Sequence, residues 1–258
     1  MSALMSIAMD TRPGLAARAR SHAPAASGHP GDWPDLRRIA GRAPLTQGYR
    51  FTQMQRNEIA PLIRRMATWF PDIAVGSASC YTREDFYSSR VHFGEDPGRH
   101  VLVMLLKHGD EVVGMFSCER NLESLSMHAR IGVVSDLHRG VRFVDTALAF
   151  TEAVSRQMGI GLLHGEATLK TPHVQRAFER CGWRLIGITP GYDREMVAPG
   201  VVKRVYEAAY AKVLVDASDL LQPDRENMTP NALALFDRLF TDQRDCPASS
   251  SPDRANWQ

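Results

Sequence analysis

An arginine and a glycine stand where an apolar run meets a long helical pattern, in the stretch SDLHRGVRFVDTALAFTEAVSRQMG. Arg139 and Gly140 follow the run IGVV, and the residues behind them keep helical spacing. At a helix start, backbone N–H groups point outward and the helix dipole favours a negative ligand. Glycine allows close approach, and the guanidinium adds a charged donor. The stretch suits a pyrophosphate, although an ordinary helix start accounts for the same residues.

Composition and charge narrow the class of protein. A chain of 258 residues is long enough for a full core in one domain of moderate size. The net charge is +2 and no basic stripe is visible, so we expect no nucleic-acid partner. The sequence holds no apolar run of about 18 residues to span a membrane and no N-terminal signal peptide. We therefore expect a cytoplasmic protein with no membrane partner.

The cysteines and histidines show no recognised metal-site spacing. Cys80, Cys118, Cys181 and Cys246 are scattered without a C-x-x-C pair, so neither a disulfide framework nor a zinc site is indicated. The residues HGE at 164–166 match the H-x-E of zinc deaminases, but no P-C-x-x-C follows. The sequence therefore predicts no bound metal.

The chain divides into four segments by composition. Residues 1–48 are rich in Ala, Arg, Pro, Gly and Ser without a sustained period, which predicts a flexible tail. Residues 49–215 form the patterned domain, residues 216–242 a C-terminal helical extension, and residues 243–258 a second flexible tail. The last helix, capped by Thr229, either covers a sheet edge or makes a contact in a homodimer.

Between the tails, helical and strand patterns alternate. NEIAPLIRRMATWFP predicts a first helix that Pro71 stops, and a second helix is expected to begin at Thr82. Three antiparallel strands follow, the first two joined at His108-Gly109-Asp110. Then come the long helix, a strand, a short helix capped by Thr171, and two more strands. This order predicts an α/β fold, in which a central mixed sheet of about six to seven strands carries helices on both faces.

Residues 49–215 resemble the GNAT superfamily, the acyl-coenzyme A dependent N-acyltransferases. The hallmark of that family is a strand ending in small apolar residues and then P-x-x-R-G-x-G-x-G/A, which opens a long helix. Here the second part reads D-L-H-R-G-V-R-F-V, residues 136–144. The family's second half carries N-x-x-A-x-x-x-Y-x-x-x-G-F, and the residues at the matching places are Thr171, Val174, Phe178, Gly182 and Trp183.

The resemblance implies an N-acetyltransferase that transfers an acetyl group from acetyl-CoA directly to a primary amine, on a small molecule or a protein. It places the donor in a gap between two diverging parallel strands. Val134 N–H, or a neighbour, would face the oxyanion of the tetrahedral intermediate, where one donor is worth a hundredfold or more in rate. The implied donor-binding residues are Gly132, Val133 and Val134 along the pantetheine arm, Arg139, Gly140, Val141, Arg142, Phe143 and Val144 around the pyrophosphate, and Thr171 and Phe178 on the following helix.

Two departures from the family pattern bear on this expectation. Arg142 and Val144 replace the second and third glycines of the loop, which removes backbone freedom and adds a charge. Phe178 replaces the tyrosine that protonates the departing thiolate in many family members, and Tyr192 is a candidate substitute. These departures leave open a non-catalytic GNAT-fold module that binds acyl-CoA or a protein. They also leave open an acyltransferase that takes its acyl group from an acyl carrier protein.

A base is needed, because an alkylammonium with a pKa near 10.4 is mostly protonated at neutral pH. His128 lies six residues before Val134, so two-residue alternation predicts that both side chains share one side of the strand. A histidine titrates near neutrality, although a hydrogen-bonded structural histidine is equally consistent with the sequence. Further candidates for the base are Glu166, His164 and Glu119.

Acceptor selection is expected to depend on the first two helices and the loop around residues 184–203. That loop carries Tyr192, Asp193, Arg194 and Glu195. Glu123, Asp193 and Glu195 are candidates to attract a cationic acceptor, although acidic residues in loops are usually only solvated.

Overall fold

A computed structural model of the chain describes residues 31–140 and 142–240. Its centre is a seven-stranded sheet in the order β1-β2-β3-β4-β5-β7-β6, and every neighbouring pair is antiparallel except β4 and β5. The predicted mixed sheet and the hairpin at His108-Gly109-Asp110 are confirmed. The strands are β1 Tyr49–Gln53, β2 Val101–His108, β3 Glu111–Asn121, β4 Ser126–Val134, β5 Leu162–Thr168, β6 Arg184–Ala198 and β7 Val201–Val213.

Helices cover both faces of the sheet, as the alternating pattern predicts. The helices are α1 Leu36–Ala40, α2 Ile59–Trp69, α3 Glu84–Arg90, α4 Phe143–Gln157, α5 His173–Arg180 and α6 Pro230–Phe240. We call the face covered by α1, α4 and α5 the α4 face, where Phe116 and Phe150 are buried. The opposite face, covered by α2 and α3, is the α2 face, where Met66 and Leu105 are buried. Two separate apolar cores therefore hold the sheet in place.

The predicted boundary of the N-terminal tail at residue 48 is wrong. Asp35 accepts hydrogen bonds from the N–H groups of Arg37 and Arg38 at 3.0 and 3.3 Å, and so caps α1. Leu36 and Ile39 of this helix are buried in the core of the α4 face. A few apolar residues among many polar ones are enough to dock the segment, which composition alone does not reveal. The rest of the predicted tail, residues 1–30, and residues 241–258 at the other end lie outside the described residues.

The long helix begins three residues later than the Arg-Gly pair suggests. A 3-10 turn spans Asp136–His138, and α4 starts only at Phe143. Gly140 has a φ of +96° and Arg142 a φ of +51°, and such left-handed backbone cannot continue a right-handed helix. Arg139 and Gly140 therefore belong to a loop in front of the helix.

Two other predicted helix starts have different outcomes. The hydroxyl of Thr82 donates to the Ser79 carbonyl at 2.7 Å, so Thr82 ends a 3-10 turn and α3 starts at Glu84. The hydroxyl of Thr229 accepts from Ala232 N–H at 3.3 Å and caps α6 as predicted. Among the described helices, none combines the length and the apolar character needed to cross a bilayer.

Candidate active site

The sheet opens at its centre, because β4 and β5 are paired for only part of their length. Their pairing runs from Ser126 opposite Leu162 to Ala129 opposite Gly165 and then stops. Beyond that point β4 continues to its end beside β3, and β5 continues beside β7. The two parallel strands therefore diverge and leave a cleft, as the family resemblance implies.

A β-bulge in β4 changes which side chains border this cleft. The register with β3 shifts in the middle of the strand, and Arg130 is the extra residue. Ala129 and Val134 both pack on the α4 face although they are five residues apart. His128, one residue before Ala129, consequently lies on the α2 face. The prediction that His128 and Val134 share one side is wrong, because two-residue alternation fails at a bulge.

Backbone donors of β4 point into the cleft. Ser135 N–H donates to the Val113 carbonyl of β3 at 2.8 Å. Successive N–H groups of a strand point in opposite directions, so the N–H groups of Val134 and Gly132 point away from β3, toward the open side. Gly132 is exposed, and a β-carbon there would lie 3.4 Å from the ring of Phe143. Two adjacent donors are thus available to a ligand in the cleft.

The loop before α4 carries the charged groups expected at a phosphate site. Arg139 pairs with Asp136 at 2.6 Å, Arg142 with Asp145 at 3.0 Å, and Arg180 of α5 with Asp145 at 2.7 Å. Three cations therefore face two carboxylates, which leaves one positive charge among these groups. No side chain caps the first turn of α4, so its N–H groups also remain available.

The other residues expected at this loop differ in what they offer. The Phe143 side chain is 4% exposed, and Val144 packs against the core of the α4 face. Both residues can therefore offer a ligand their backbone but not their side chains. Val141 lies outside the described residues. The loop is also tied to β1, since the Tyr49 hydroxyl and His138 Nδ1 are 2.8 Å apart. That tie was not visible in the sequence, where the two residues stand far apart.

Phe178 does not reach the cleft. Its side chain is 2% exposed and its ring stacks on Tyr210 with centroids 5.0 Å apart. It also packs below Gly165, where a β-carbon would lie 3.1 Å from the tip of the ring. The expected donor contact of Phe178 is therefore wrong, because the ring supports the β4–β5 junction. Thr171 is exposed just before α5, and Pro172 rather than Thr171 occupies the N-cap position.

A cavity of about 300 Å³ lies on the α2 face beside the diverging strands. Side chains of β4 and β5 form one wall, the segment between α2 and α3 a second, and β6 and β7 a third. Its polar lining residues include His128, Arg130, Glu166, Lys170, Tyr192, Asp193, Arg194, Glu195 and Glu207.

The parallel register brings His128, His164 and Glu166 together beside the cavity, although only His128 and Glu166 line it. His128 lies opposite His164, and Glu166 follows two residues later on the same face of β5. His128 Nε2 is 2.7 Å from a carboxylate oxygen of Glu166, and the two imidazoles stack with centroids 4.7 Å apart. The sequence named all three residues as candidates but could not place them in contact.

The carboxylate of Glu166 is held in its ionised form. Burial raises the pKa of Glu166, but the hydrogen bond from His128 and the hydroxyl of Tyr192 lower it more, and its pKa lies below the ordinary value. An ionised carboxylate can only accept a hydrogen bond, so His128 Nε2 must carry the proton. His128 Nδ1 is then the nitrogen left to accept a proton.

Glu207 is a cavity carboxyl that sequence reasoning missed. Burial, followed by the charges of Asp193, Glu166 and Glu195, raises the pKa of Glu207 to about 7. Burial and the neighbouring Glu166 likewise raise the pKa of Tyr192 to about 12. In the sequence, Glu207 is one polar residue in an alternating strand pattern, and only the sheet register brings it to the cavity.

The remaining acidic candidates are engaged by other groups or lie elsewhere. Asp193 accepts hydrogen bonds from the N–H and hydroxyl groups of Ser77, and Glu195 pairs with Lys170. Glu119 pairs with Arg90 at 2.6 Å and with Arg130, so it is not a free base. Glu123 lies exposed in the β3–β4 turn and does not line the cavity.

Solved structures with a similar fold include acetyltransferases. No family model matches the chain, and no curated protein matches it in sequence. Spermidine N-acetyltransferase from Vibrio cholerae is 12% identical, with a TM-score of 0.51, over 65% of this chain and 95% of that one. RimJ from Mycobacterium smegmatis, in complex with CoA-disulfide, is 12% identical with a TM-score of 0.51, over 73% of this chain and 87% of that one.

A further similar structure is the Microcin C7 self-immunity acetyltransferase MccE in complex with acetyl-CoA and AMP. It is 12% identical with a TM-score of 0.50, over 66% of this chain and 94% of that one. At these identities the similarity concerns the fold. The chain therefore shares the fold of these acetyltransferases, the fold that its sequence resemblance leads one to expect.

Proposed function

We propose that this protein is an N-acetyltransferase that transfers an acetyl group from acetyl-CoA to a primary amine by direct attack. The observation that carries the proposal is the cleft between β4 and β5, with Val134 N–H directed into it and the His128–Glu166 pair on the strands that border it. Two proteins of the same fold, RimJ and MccE, have structures with CoA-disulfide and with acetyl-CoA.

The residues present suit an acyl-CoA. A pyrophosphate would lie against the loop of Arg139 and Arg142 and the uncapped N–H groups of α4. Arg139 is 68% exposed and its partner Asp136 is 75% exposed, so Arg139 can exchange this weak ion pair for a phosphate. Gly132 is exposed on β4, and its N–H, which points away from β3, is available to the pantetheine arm.

The acceptor would reach the thioester through the cavity on the α2 face. His128 Nδ1 takes one proton from the ammonium, directly or through water, and Glu166 stabilises the imidazolium that results. The amine nitrogen then bonds to the thioester carbonyl carbon while Val134 N–H donates to the developing oxyanion. The C–S bond breaks next, and the thiolate receives the second proton of the former amine. Base catalysis of this kind is worth about 10²- to 10⁴-fold in rate.

Tyr192 acts in this proposal as a positioning residue and not as the acid. Its pKa of about 12 lies about 3.5 pH units above that of a thiol near 8.5, so it is a poor proton donor to a thiolate. Its hydroxyl instead bonds to Glu166 and orients the carboxylate toward His128. A thiolate of this basicity leaves without assistance.

A cationic acceptor fits the cavity best. Glu207 has no cationic partner among the hydrogen bonds and ion pairs of the described residues, and an ammonium group would ionise it fully by lowering its pKa. The acceptor is thus expected to be a primary amine, on a small molecule or at the end of a polypeptide that enters from the α2 face.

Thiol release from acetyl-CoA, followed for the full chain against a panel of mono- and diamines, amino acids and peptides, tests the proposal. We expect amine-dependent release that falls at least about 100-fold in His128→Asn. His173→Asn, at an exposed position at the start of α5, is the matched control and should retain full activity. A folded protein that binds acetyl-CoA but acetylates no amine would favour the non-catalytic module.

A further inference from the structure

Three potential metal ligands come together on the wall between the two parallel strands. A ring nitrogen of His128, a ring nitrogen of His164 and a carboxylate oxygen of Glu166 lie within 4.8 Å of one another. His128 and His164 stand where their strands are paired on both sides, and Glu166, one residue beyond the last β4–β5 pair, is still paired with β7. The sheet therefore holds the backbone beneath the cluster in place. His164 has no part in the acetyl transfer proposed above. Its ring nitrogens accept and donate no hydrogen bond among the described residues.

We propose that His128, His164 and Glu166 form a binding site for a divalent transition metal, with Zn²⁺ as the best fit. Two imidazoles and one carboxylate are a ligand set that zinc takes in sites with an open fourth position. The first-row affinity order places Cu²⁺ above both Zn²⁺ and Co²⁺ at such ligands. Mg²⁺ and Ca²⁺ prefer sites made only of oxygen atoms and are therefore excluded as the natural occupant.

The adjustment needed to bind a metal is small. Tetrahedral ligands about 2.0–2.1 Å from zinc lie about 3.4 Å from each other. His128 and Glu166 already approach to 2.7 Å, so they need only separate slightly as their shared proton is displaced. The ligand atoms all lie within 4.8 Å of one another, so no separation has to shrink by more than about 1.4 Å.

The surroundings of the cluster allow a metal to enter. All three residues are only partly buried, and His128 and His164 also line a second hollow on the surface, beside Ser126 and Glu119. The cation of β4 that lies nearest in sequence is Arg130, which shares the carboxylate of Glu119 with Arg90. With both imidazoles neutral, the ligand set carries one negative charge toward the metal. A water molecule from either hollow would complete the coordination.

Metal binding would have a consequence for the activity, which rests on the proposed function. A metal would displace the proton that His128 and Glu166 share and would hold both side chains. His128 would then no longer accept a proton from the acceptor amine. Zinc is accordingly expected to inhibit acetyl transfer reversibly, and a chelator to restore it.

The test is calorimetric titration of Zn²⁺ into the full chain after treatment with a chelator, without acetyl-CoA or amine. We expect one high-affinity site per chain, and Co²⁺ in place of zinc should produce the visible absorption of a low-symmetry site with nitrogen and oxygen ligands. His164→Asn should weaken binding at least about 100-fold, since even the loss of an outer-shell partner costs 10- to 100-fold. The matched control His173→Asn should bind as the wild type does.

The outcomes separate this proposal from the proposed function. Wild-type protein that gives neither the zinc heat nor the cobalt absorption overturns the metal site, whatever its acetyltransferase activity. Equal zinc affinity in His164→Asn and the wild type overturns it too. If a variant fails to fold, the Tm of the wild type still tests the proposal: zinc should raise it and Mg²⁺ should not, and a Tm that zinc leaves unchanged overturns the metal site. Zinc binding without inhibition retains the metal site and contradicts the role of His128 as the base.

Discussion

Arg142 occupies a left-handed backbone position where the family motif has glycine, and the cost of this choice can be measured. Its φ of +51° and ψ of +33° lie in the region that costs a residue with a β-carbon roughly 1–2 kcal/mol. Glycine avoids that cost, but it makes the unfolded chain more flexible, which lowers the free energy of unfolding by about 0.5–1 kcal/mol relative to alanine. Replacement by glycine should therefore give a protein about 0.5–1 kcal/mol more stable than replacement by alanine.

The comparison of glycine with alanine isolates the backbone term. Both Arg142→Gly and Arg142→Ala remove the ion pair with Asp145, which keeps its second partner, Arg180. The Arg142 side chain is 74% exposed, so this loss is small and equal in the two variants.

Arg156, in the last turn of α4, is the matched control. It also forms one exposed ion pair, with Glu152, but its backbone is helical. There glycine should be less stable than alanine by about 1 kcal/mol, the opposite sign. Urea unfolding of the four variants, followed by circular dichroism, gives the free energies of unfolding. An Arg142→Ala protein at least as stable as Arg142→Gly would refute the reasoning.

Three further predictions concern the cavity and the strand junction. Glu166→Gln should reduce turnover at least about tenfold without unfolding the protein. Because folding lowers the pKa of Glu166, the stability that its carboxylate contributes is present above about pH 4.5 and is lost as the pH falls through the folded pKa. In thermal melts from pH 3 to 6, the Tm of the variant should therefore fall less steeply toward acid pH than the Tm of the wild type. Glu207 has its pKa raised to about 7 on folding, so wild-type stability should decline from about pH 4.5 to above pH 7 relative to Glu207→Gln, and equal pH profiles of Tm would contradict this. Gly165→Ala should lower the free energy of unfolding in urea by about 1–3 kcal/mol, because the new β-carbon would lie 3.1 Å from both the Ala129 carbonyl and the Phe178 ring. The control is Gly187→Ala in β6, where a β-carbon would have no atom within 4 Å, and its stability should equal that of the wild type.

The sequence predicts those parts of the fold that depend on local pattern. The β2–β3 hairpin, helix α2 and the mixed sheet follow from apolar periodicity and turn residues. Helix α1 was missed because its two buried residues, Leu36 and Ile39, give too short a period to stand out against the prolines and arginines around them.

The site depends on interactions that no local pattern records. The bulge at Arg130 moves His128 to the other face of the sheet, and a bulge leaves no signature in the apolar alternation of β4. The contact between His128 and Glu166 depends on the register of two parallel strands joined by a helix of fifteen residues. Phe178 stands at the motif position of a catalytic tyrosine, but only the packing shows that its ring faces the core.

The binding of acetyl-CoA is the claim on which the rest depends. The most direct test is calorimetric titration of acetyl-CoA into the full chain, into the double variant Arg139→Glu with Arg142→Glu, and into Arg64→Glu. Arg64 is exposed on α2, across the sheet from the loop, and controls for the reversal of an arginine's charge at a site away from the loop. We predict micromolar binding by the wild type and by Arg64→Glu, and no measurable binding by the double variant. A folded wild type that takes up no acetyl-CoA, or a double variant that binds it as tightly, would contradict the account.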